Sequence, residues 1–273
     1  MAPSIDFSVI APPAYLEQFV GQEPARVHHV AAQQVLSDAM YRAFFAREAE
    51  RGAEIIVDNG VFDLGYALPA AKLVDAGRAI GAREIILPDV MRDGAATVKA
   101  SEQAAKEIKD LAGDAFRLCA VLHAADDEEW LRTYDALVSG GWAGAIALPA
   151  SRRPDPTRQL CRTRWAATAY LEERGLVEAR LVYRLLGLGR TGHLELIEQR
   201  EHEWIASVDG AAPVILGAMG IALLPEGPYE KPSTPRIEQL GPISEDRFGL
   251  IRHNIAVVRT AAGSSVMIAE ERR

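Results

Sequence analysis

Short apolar runs alternate with longer amphipathic ones along almost the whole chain. The apolar runs are Phe7–Ala11, Glu54–Val57, Glu84–Leu87, Arg117–Leu122, Gly144–Leu148, Arg180–Leu186 and Trp204–Val208. Val27–Val30 reads either as a further strand or as the lead-in to a helix. The runs are rich in Ile, Val and Leu, and several lack polar alternation, the pattern of parallel strands covered on both faces. Between them, Asp38–Arg51, Pro69–Ile80, Ala95–Leu111, Asp126–Val138, Thr157–Arg174 and His193–Gln199 read as helices, the first with Met40, Phe44 and Phe45 at helical spacing. Repeated strand-then-helix units predict a parallel sheet, and seven or eight of them favour an α/β fold closed into a (β/α)8 TIM barrel. No Gly-x-Gly-x-x-Gly follows the first strand, which weighs against an open dinucleotide-binding sheet. The rhythm breaks near residue 217, where a proline-rich stretch to Arg236 reads as a long loop. Ser244–Ala261 then predicts a closing helix, with Phe248, Ile251, Ile255 and Val258 on one side and Ser244 as its N-cap. Loop and helix, about 217–262, belong to the same single domain.

With 273 residues, 49% of them hydrophobic, the chain can bury one large core. Its net charge of -8 argues against attraction to polyanions over the whole surface, while leaving room for a local basic groove. Two cysteines, Cys119 and Cys161, form neither a disulfide framework nor a four-cysteine zinc site, so a reducing cytoplasm is expected. The segment Met1–Asp6 lacks the basic start and apolar core of a signal peptide. No apolar run reaches the roughly 18 residues of a membrane span, and no membrane partner is expected.

Active sites of parallel barrels lie at the C-terminal strand ends, and those ends are rich in carboxylates here. Ile55-Ile56-Val57 runs into Asp58-Asn59-Gly60, Ile85-Ile86-Leu87 into Pro88-Asp89, and Ala206-Ser207-Val208 into Asp209-Gly210. One such aspartate is as often a helix cap or turn residue. Three on one rim suit the nucleophile and acid/base roles of glycosyl transfer. His123 ends another run, where a ligand contact and a structural role are equally open. His28 and His29, followed by Gln33 and Gln34, form a weaker ligand candidate. No two histidines have the i, i+4 spacing of a helical metal site, so metal catalysis is not expected.

These residues resemble the tRNA-guanine transglycosylase superfamily, most closely its shorter phage-type branch, the DpdA-like 7-deazapurine DNA transglycosylases. The resemblance rests on Val57-Asp58-Asn59-Gly60-Val61-Phe62, on Leu87-Pro88-Asp89-Val90 with Thr97 downstream, on Tyr183 through Gly189, and on Ser207 through Pro213. Each motif is short, and their order over residues 27–220 is what carries the match. The resemblance implies Asp209 as the nucleophile that attacks the sugar C1′, and Asp58 as the general acid/base. It further implies Asp89 as the reader of the guanine edge, with His123, Leu148, Pro149 and Gly187 around the base. At Leu148-Pro149 the family has a glycine-rich strand end, so backbone contacts there differ. The tRNA enzymes carry a zinc site of three cysteines and a histidine near the C-terminus. This sequence lacks it, which favours DNA over tRNA as the substrate, with a free 7-deazaguanine such as preQ0 as the incoming base. Alanine and arginine content of this kind suggests a GC-rich genome, that of a phage or of its bacterial host, with the protein acting in the host cytoplasm.

A nucleic-acid enzyme of this charge needs a basic patch. The stretch 151–190 offers Arg152, Arg153, Arg158, Arg162, Arg164, Arg174, Arg180, Arg184 and Arg190 against four carboxylates. Arg152, Arg153, Arg158 and Arg190 are the leading candidates for phosphate contact, and Trp165 and Tyr170 are candidates for base stacking. Two alternatives remain open: a barrel enzyme for a small phosphorylated or sugar substrate, and a non-catalytic nucleic-acid-binding subunit.

Overall fold

The computed structural model describes residues 4–22, 25–150, 159–161, 163–188, 192–225 and 234–263. Eight strands alternate with helices: β1 Asp6–Val9, β2 Val27–Ala31, β3 Glu54–Asp58, β4 Glu84–Ile86, β5 Arg117–Val121, β6 Ala145–Pro149, β7 Val182–Leu186 and β8 Ile205–Gly210. Every pairing is parallel and the order is β1-β8-β7-β6-β5-β4-β3-β2. Sequence neighbours are therefore sheet neighbours all the way round, the topology of a (β/α)8 barrel. The two ends of the sheet meet at β1 and β2, where the His29 N–H donates to Ser8 Oγ at 2.8 Å. A side-chain hydroxyl thus stands in for a ladder bond at the seam. The ambiguous Val27–Val30 segment is a strand because its outward Val30 fills the core under the helices while Val27 faces the barrel interior.

Alternation along the strands separates two apolar layers. Ile56, Ile86, Cys119, Val121, Ala145 and Ala147 fill the barrel interior. Ile55, Val57, Ile85, Leu87, Ala120, Ile146 and Leu185 face the helices. Below the inner apolar layer lies a buried ion cluster. Arg184 donates from Nε and Nη2 to Glu84 at 2.6 and 2.8 Å, from Nη2 to Glu54 at 2.8 Å and from Nη1 to Ser207 at 2.8 Å. Arg117 adds bonds to the same two glutamates. Burial alone would disfavour the Arg184 cation, but the bonds and charges of Glu84, then Glu54, outweigh it and raise its pKa. Arg184 is thus an internal strut, and it leaves the basic surface patch expected from the sequence.

Some helix bounds differ from the sequence reading. The predicted Thr157–Arg174 helix begins at Arg164, whose guanidinium turns back to the strand ends. Met40 is 83% exposed, because Asp38 caps the helix Ala39–Glu50 and leaves its second residue on the outside. The closing α-helix runs Phe248–Ala261 and buries Ile251, Ile255 and Val258. Ser244 caps nothing with its side chain, since a 3-10 turn over Glu245–Arg247 intervenes. Buried Asn254 fastens this helix to the loop before it, accepting from Leu223 N at 2.7 Å and donating to the Ile221 carbonyl at 2.9 Å. Its far end accepts the Ile5 N–H at the Ala262 carbonyl, tying β1 in place. No helix among the described residues is long and apolar enough to cross a membrane.

Candidate active site

Three strand ends bring carboxylates to one mouth. Asp58 is the last residue of β3, Asp209 the last but one of β8, and Asp89 lies three residues beyond β4. Asp58 and Asp209 are held the same way. Gly60 donates its N–H to Asp58 Oδ1 at 2.7 Å, and Gly187 donates to Asp209 Oδ1 at 2.8 Å. Both glycines have left-handed backbones, φ 88° and 71°, a conformation that a side chain disfavours. A glycine amide from a strand-end turn, that of β3 itself for Asp58 and that of the neighbouring β7 for Asp209, thus bonds Oδ1 and leaves Oδ2 free of that bond.

Burial raises both acids. Asp58 is pushed up to about 7 by burial, against the Gly60 bond, with the neighbouring charges of Asp209, Asp63 and Asp89 adding to the rise. Asp209 is pushed up to about 6 by burial, tempered by the Gly187 bond and the positive charge of Arg164. Two carboxyl groups whose environments separate their pKa values are the usual basis of an acid/base division of labour. Arg164 also builds the site. It is 3% exposed, and its Nη1 donates to the carbonyls of Leu148, Leu186 and Gly187 at 3.2, 3.1 and 3.0 Å. Its Nε and Nη2 clamp Glu195 at 2.7 and 2.8 Å.

Asp89 belongs to a second group. Its Oδ1 accepts from Asn59 Nδ2 at 2.7 Å and its Oδ2 lies 2.8 Å from His123 Nε2. Asn59 also donates to the Leu87 carbonyl at 2.6 Å and accepts from Val61 N at 2.8 Å, so one buried amide ties β3 to β4. The Val90 amide donates to Thr97 Oγ1 at 2.9 Å and holds the loop that follows. His123 and Asp89 thus form a dyad beside Asp58.

No protein-family model matches the sequence, and no curated protein matches it. Among solved structures, the chain is similar to KGPDC from Streptococcus mutans, at 12% identity and a TM-score of 0.47, over 94% of this chain and 99% of that one. It is also similar to tryptophan synthase from M. tuberculosis, at 13% identity and a TM-score of 0.48, over 94% and 93% of the two chains. A third likeness is to QR15, an aldolase, at 13% identity and a TM-score of 0.49, over 76% and 89%. Identities this low carry no information on chemistry.

The remaining sequence candidates divide. Pro149 continues the inward register of Ala145 and Ala147 in β6. Leu148 does not line the mouth, because alternation turns its side chain into the outer core and Arg164 takes its carbonyl. Arg152, Arg153, Arg158, Arg162 and Arg190 lie outside the described residues. Of the other arginines, Arg164 and Arg184 are internal, Arg180 reaches the Val138 carbonyl, and Arg174 lies over the Tyr170 ring. Trp165 is exposed. Among the described residues, no group of three or more His, Cys, Asp or Glu is placed to hold a metal ion. A cavity of about 860 Å³, lined by Lys99, Lys106, Lys109 and Trp142, opens at the opposite end of the barrel, beside the start of β5. It shares no residue with the carboxylate rim.

Asn59, Arg164 and Glu195 escaped the sequence reading as members of the site, and His29 entered it only as a weaker ligand candidate beside His28. The signal for His29 was present in Val27-His28-His29-Val30. Period-two alternation puts one of two adjacent histidines inside: His28 lies against Phe45 and Glu48 of the helix layer, and His29 lies within the barrel.

Proposed function

We propose that this chain is a base-exchanging glycosyltransferase that replaces guanine on a nucleic acid with a 7-deazaguanine, working through a covalent glycosyl-aspartate. The observation that carries the reading is the pair Asp58 and Asp209, each fixed through one oxygen by a glycine amide, with Asp58 the weaker acid. Asp209, ionised, attacks C1′, and the bond from C1′ to N9 of guanine breaks. Asp58, protonated, delivers its proton to the departing base. The incoming base then gives its N9 proton to Asp58 and attacks C1′, which releases Asp209. The old glycosidic bond drives formation of the new one, so the cycle needs no cofactor, and splitting the displacement lowers each barrier. Asp89, oriented by Asn59 and His123, accepts hydrogen bonds from the base and disfavours purines lacking those donors. On duplex DNA the reacting nucleotide must leave the stack to reach the barrel mouth.

The burial of Arg164 and Arg184 removes two charges from the expected phosphate surface, and this favours a second reading, base exchange on a free nucleoside. One experiment separates the possibilities. Labelled preQ0 is offered with guanine-containing duplex DNA, with bulk tRNA and with deoxyguanosine, to the wild type, Asp209→Ala and Asp58→Ala. Label in DNA that both variants lose supports the proposal. Label only in tRNA or only in the nucleoside keeps the chemistry and changes the substrate. No label in any of the three, with folded protein, refutes base exchange.

A further inference from the structure

His29 sits where β1, β2 and β8 meet. Its backbone N–H is held by Ser8, and Ser8 is the register partner of Asp209. Its Nδ1 lies 3.8 Å from Asp209 Oδ1, the oxygen that also accepts from Gly187. Its Nε2 is buried and has no hydrogen-bond partner. We infer that His29 is a positioning residue for Asp209: its Nδ1–H faces, at 3.8 Å, the same Oδ1 that the Gly187 N–H holds, and closes on it when substrate binds, which leaves Oδ2 as the oxygen that forms the bond to substrate.

The tautomer follows from the surroundings. A proton on Nε2 would orphan a buried donor and leave the Nδ1 lone pair facing a carboxylate oxygen. A proton on Nδ1 faces that oxygen, and leaves only a bare acceptor at Nε2. The groups around the ring are Asp209 from β8, Ser8 from β1, Glu54 from β3, Glu84 from β4, Arg184 from β7 and His28 from its own strand. Burial first, then the Arg184 charge, lowers the His29 pKa to about 3 against the opposing pull of Glu84 and Glu54. The ring therefore acts as a neutral donor, not as a counter-ion. A spacing of 3.8 Å is long for a hydrogen bond, and catalytic contacts of this kind shorten when substrate binds.

The bond-forming role of Oδ2 rests on the base-exchange reading, whereas the imidazole-to-carboxylate arrangement does not. The test separates them. Nitrogen NMR of the wild-type imidazole is expected to show neutral His29 with its proton on Nδ1 at pH 7. A proton on Nε2, or a charged ring, overturns the inference. Carbon NMR then follows the Asp209 carboxyl through a titration. Loss of the facing N–H in His29→Leu is expected to raise its midpoint in the resting protein by about half a unit, and His29→Gln, which keeps an N–H, is expected to recover most of the shift. An unmoved midpoint in His29→Leu overturns the inference whether or not the protein exchanges bases. In the labelled preQ0 assay the acid limb of kcat/KM moves by the same amount, and kcat, read with the contact closed and its acid limb shifted by about one unit, falls about fivefold at pH 6 with KM nearly constant. If the NMR shifts appear while the wild type incorporates no label, the positioning role stands and base exchange fails.

Discussion

At the scale of single residues, Asp58 and Asp209 differ in how much burial each charge must bear. Asp58, raised from 3.8 to about 7 chiefly by burial, is protonated in the folded protein over a range where the unfolded chain has lost that proton. Its stabilising contribution is complete below about pH 4 and disappears as pH rises through 7. Asp58→Asn is therefore expected to be more stable than the wild type at pH 8, by ~1 kcal/mol, and to lose this advantage at pH 4. Denaturant titrations at the two pH values check this, and an advantage equal at both would reject a buried protonated Asp58. The same pair predicts a bell-shaped pH dependence of kcat/KM for base exchange, with limbs near the values of about 6 for Asp209 and about 7 for Asp58. The limbs belong to the coupled pair rather than to either residue alone. A profile flat from pH 5 to 8 would exclude the division of labour between the two acids. These aspartates were visible in the sequence because each directly follows an apolar run. Asn59 was read only as part of the Asp-Asn-Gly turn, since a buried amide bridging two strands leaves no periodic trace.

At the scale of elements, the mouth depends on one arginine that sequence reasoning placed on the surface. Arginine is rarely buried unless paired, so nine arginines between residues 151 and 190 read naturally as a basic patch. The partner that makes Arg164 internal is Glu195, 31 residues away, and nothing local announces it. The pair joins the ends of β6 and β7 to the helix His193–Gln199 and so sets the Gly187 amide that holds Asp209. Arg164→Leu leaves Glu195 without its counter-charge and is expected to lose ~3–5 kcal/mol of stability. Arg164→Lys recovers only part of this, because an ammonium cannot serve three carbonyls and a carboxylate in one plane. The double variant Arg164→Leu/Glu195→Leu is expected to regain most of the stability yet remain impaired in base exchange, with the Asp209 carboxyl displaced. Denaturation and exchange assays on the three variants decide this. A double variant with full activity would show that the clamp serves stability alone.

At the scale of the whole molecule, the barrel was legible because strand-then-helix periodicity fixes a parallel sheet and its near-complete count fixes closure. How the last gap closes was not legible. Elsewhere the strands pair through backbone ladders, but at the seam the described residues show the Ser8 hydroxyl accepting the His29 amide at 2.8 Å, with both residues buried. Ser8→Ala leaves that amide unpaired in the interior and is expected to lose ~1–3 kcal/mol. The loss should be local before it is global, since β1 stays tied to β8 and to the Ala262 carbonyl while β2 stays tied to β3. Hydrogen exchange at the His29 amide should therefore quicken by ten- to a hundredfold, a factor of about 10 for each 1.4 kcal/mol of lost protection. Amides in the middle of β5 and β6, on the far side of the barrel, should slow or quicken only as global stability changes. Ser8→Thr, which keeps the hydroxyl, should restore protection at His29. If the His29 amide exchanges equally in Ser8→Ala and the wild type, the seam is held by packing and the hydroxyl is incidental to closure. A seam that does open would disturb His29 and Asp209 together, so loss of Asp209 positioning should track loss of protection across the Ser8 variants.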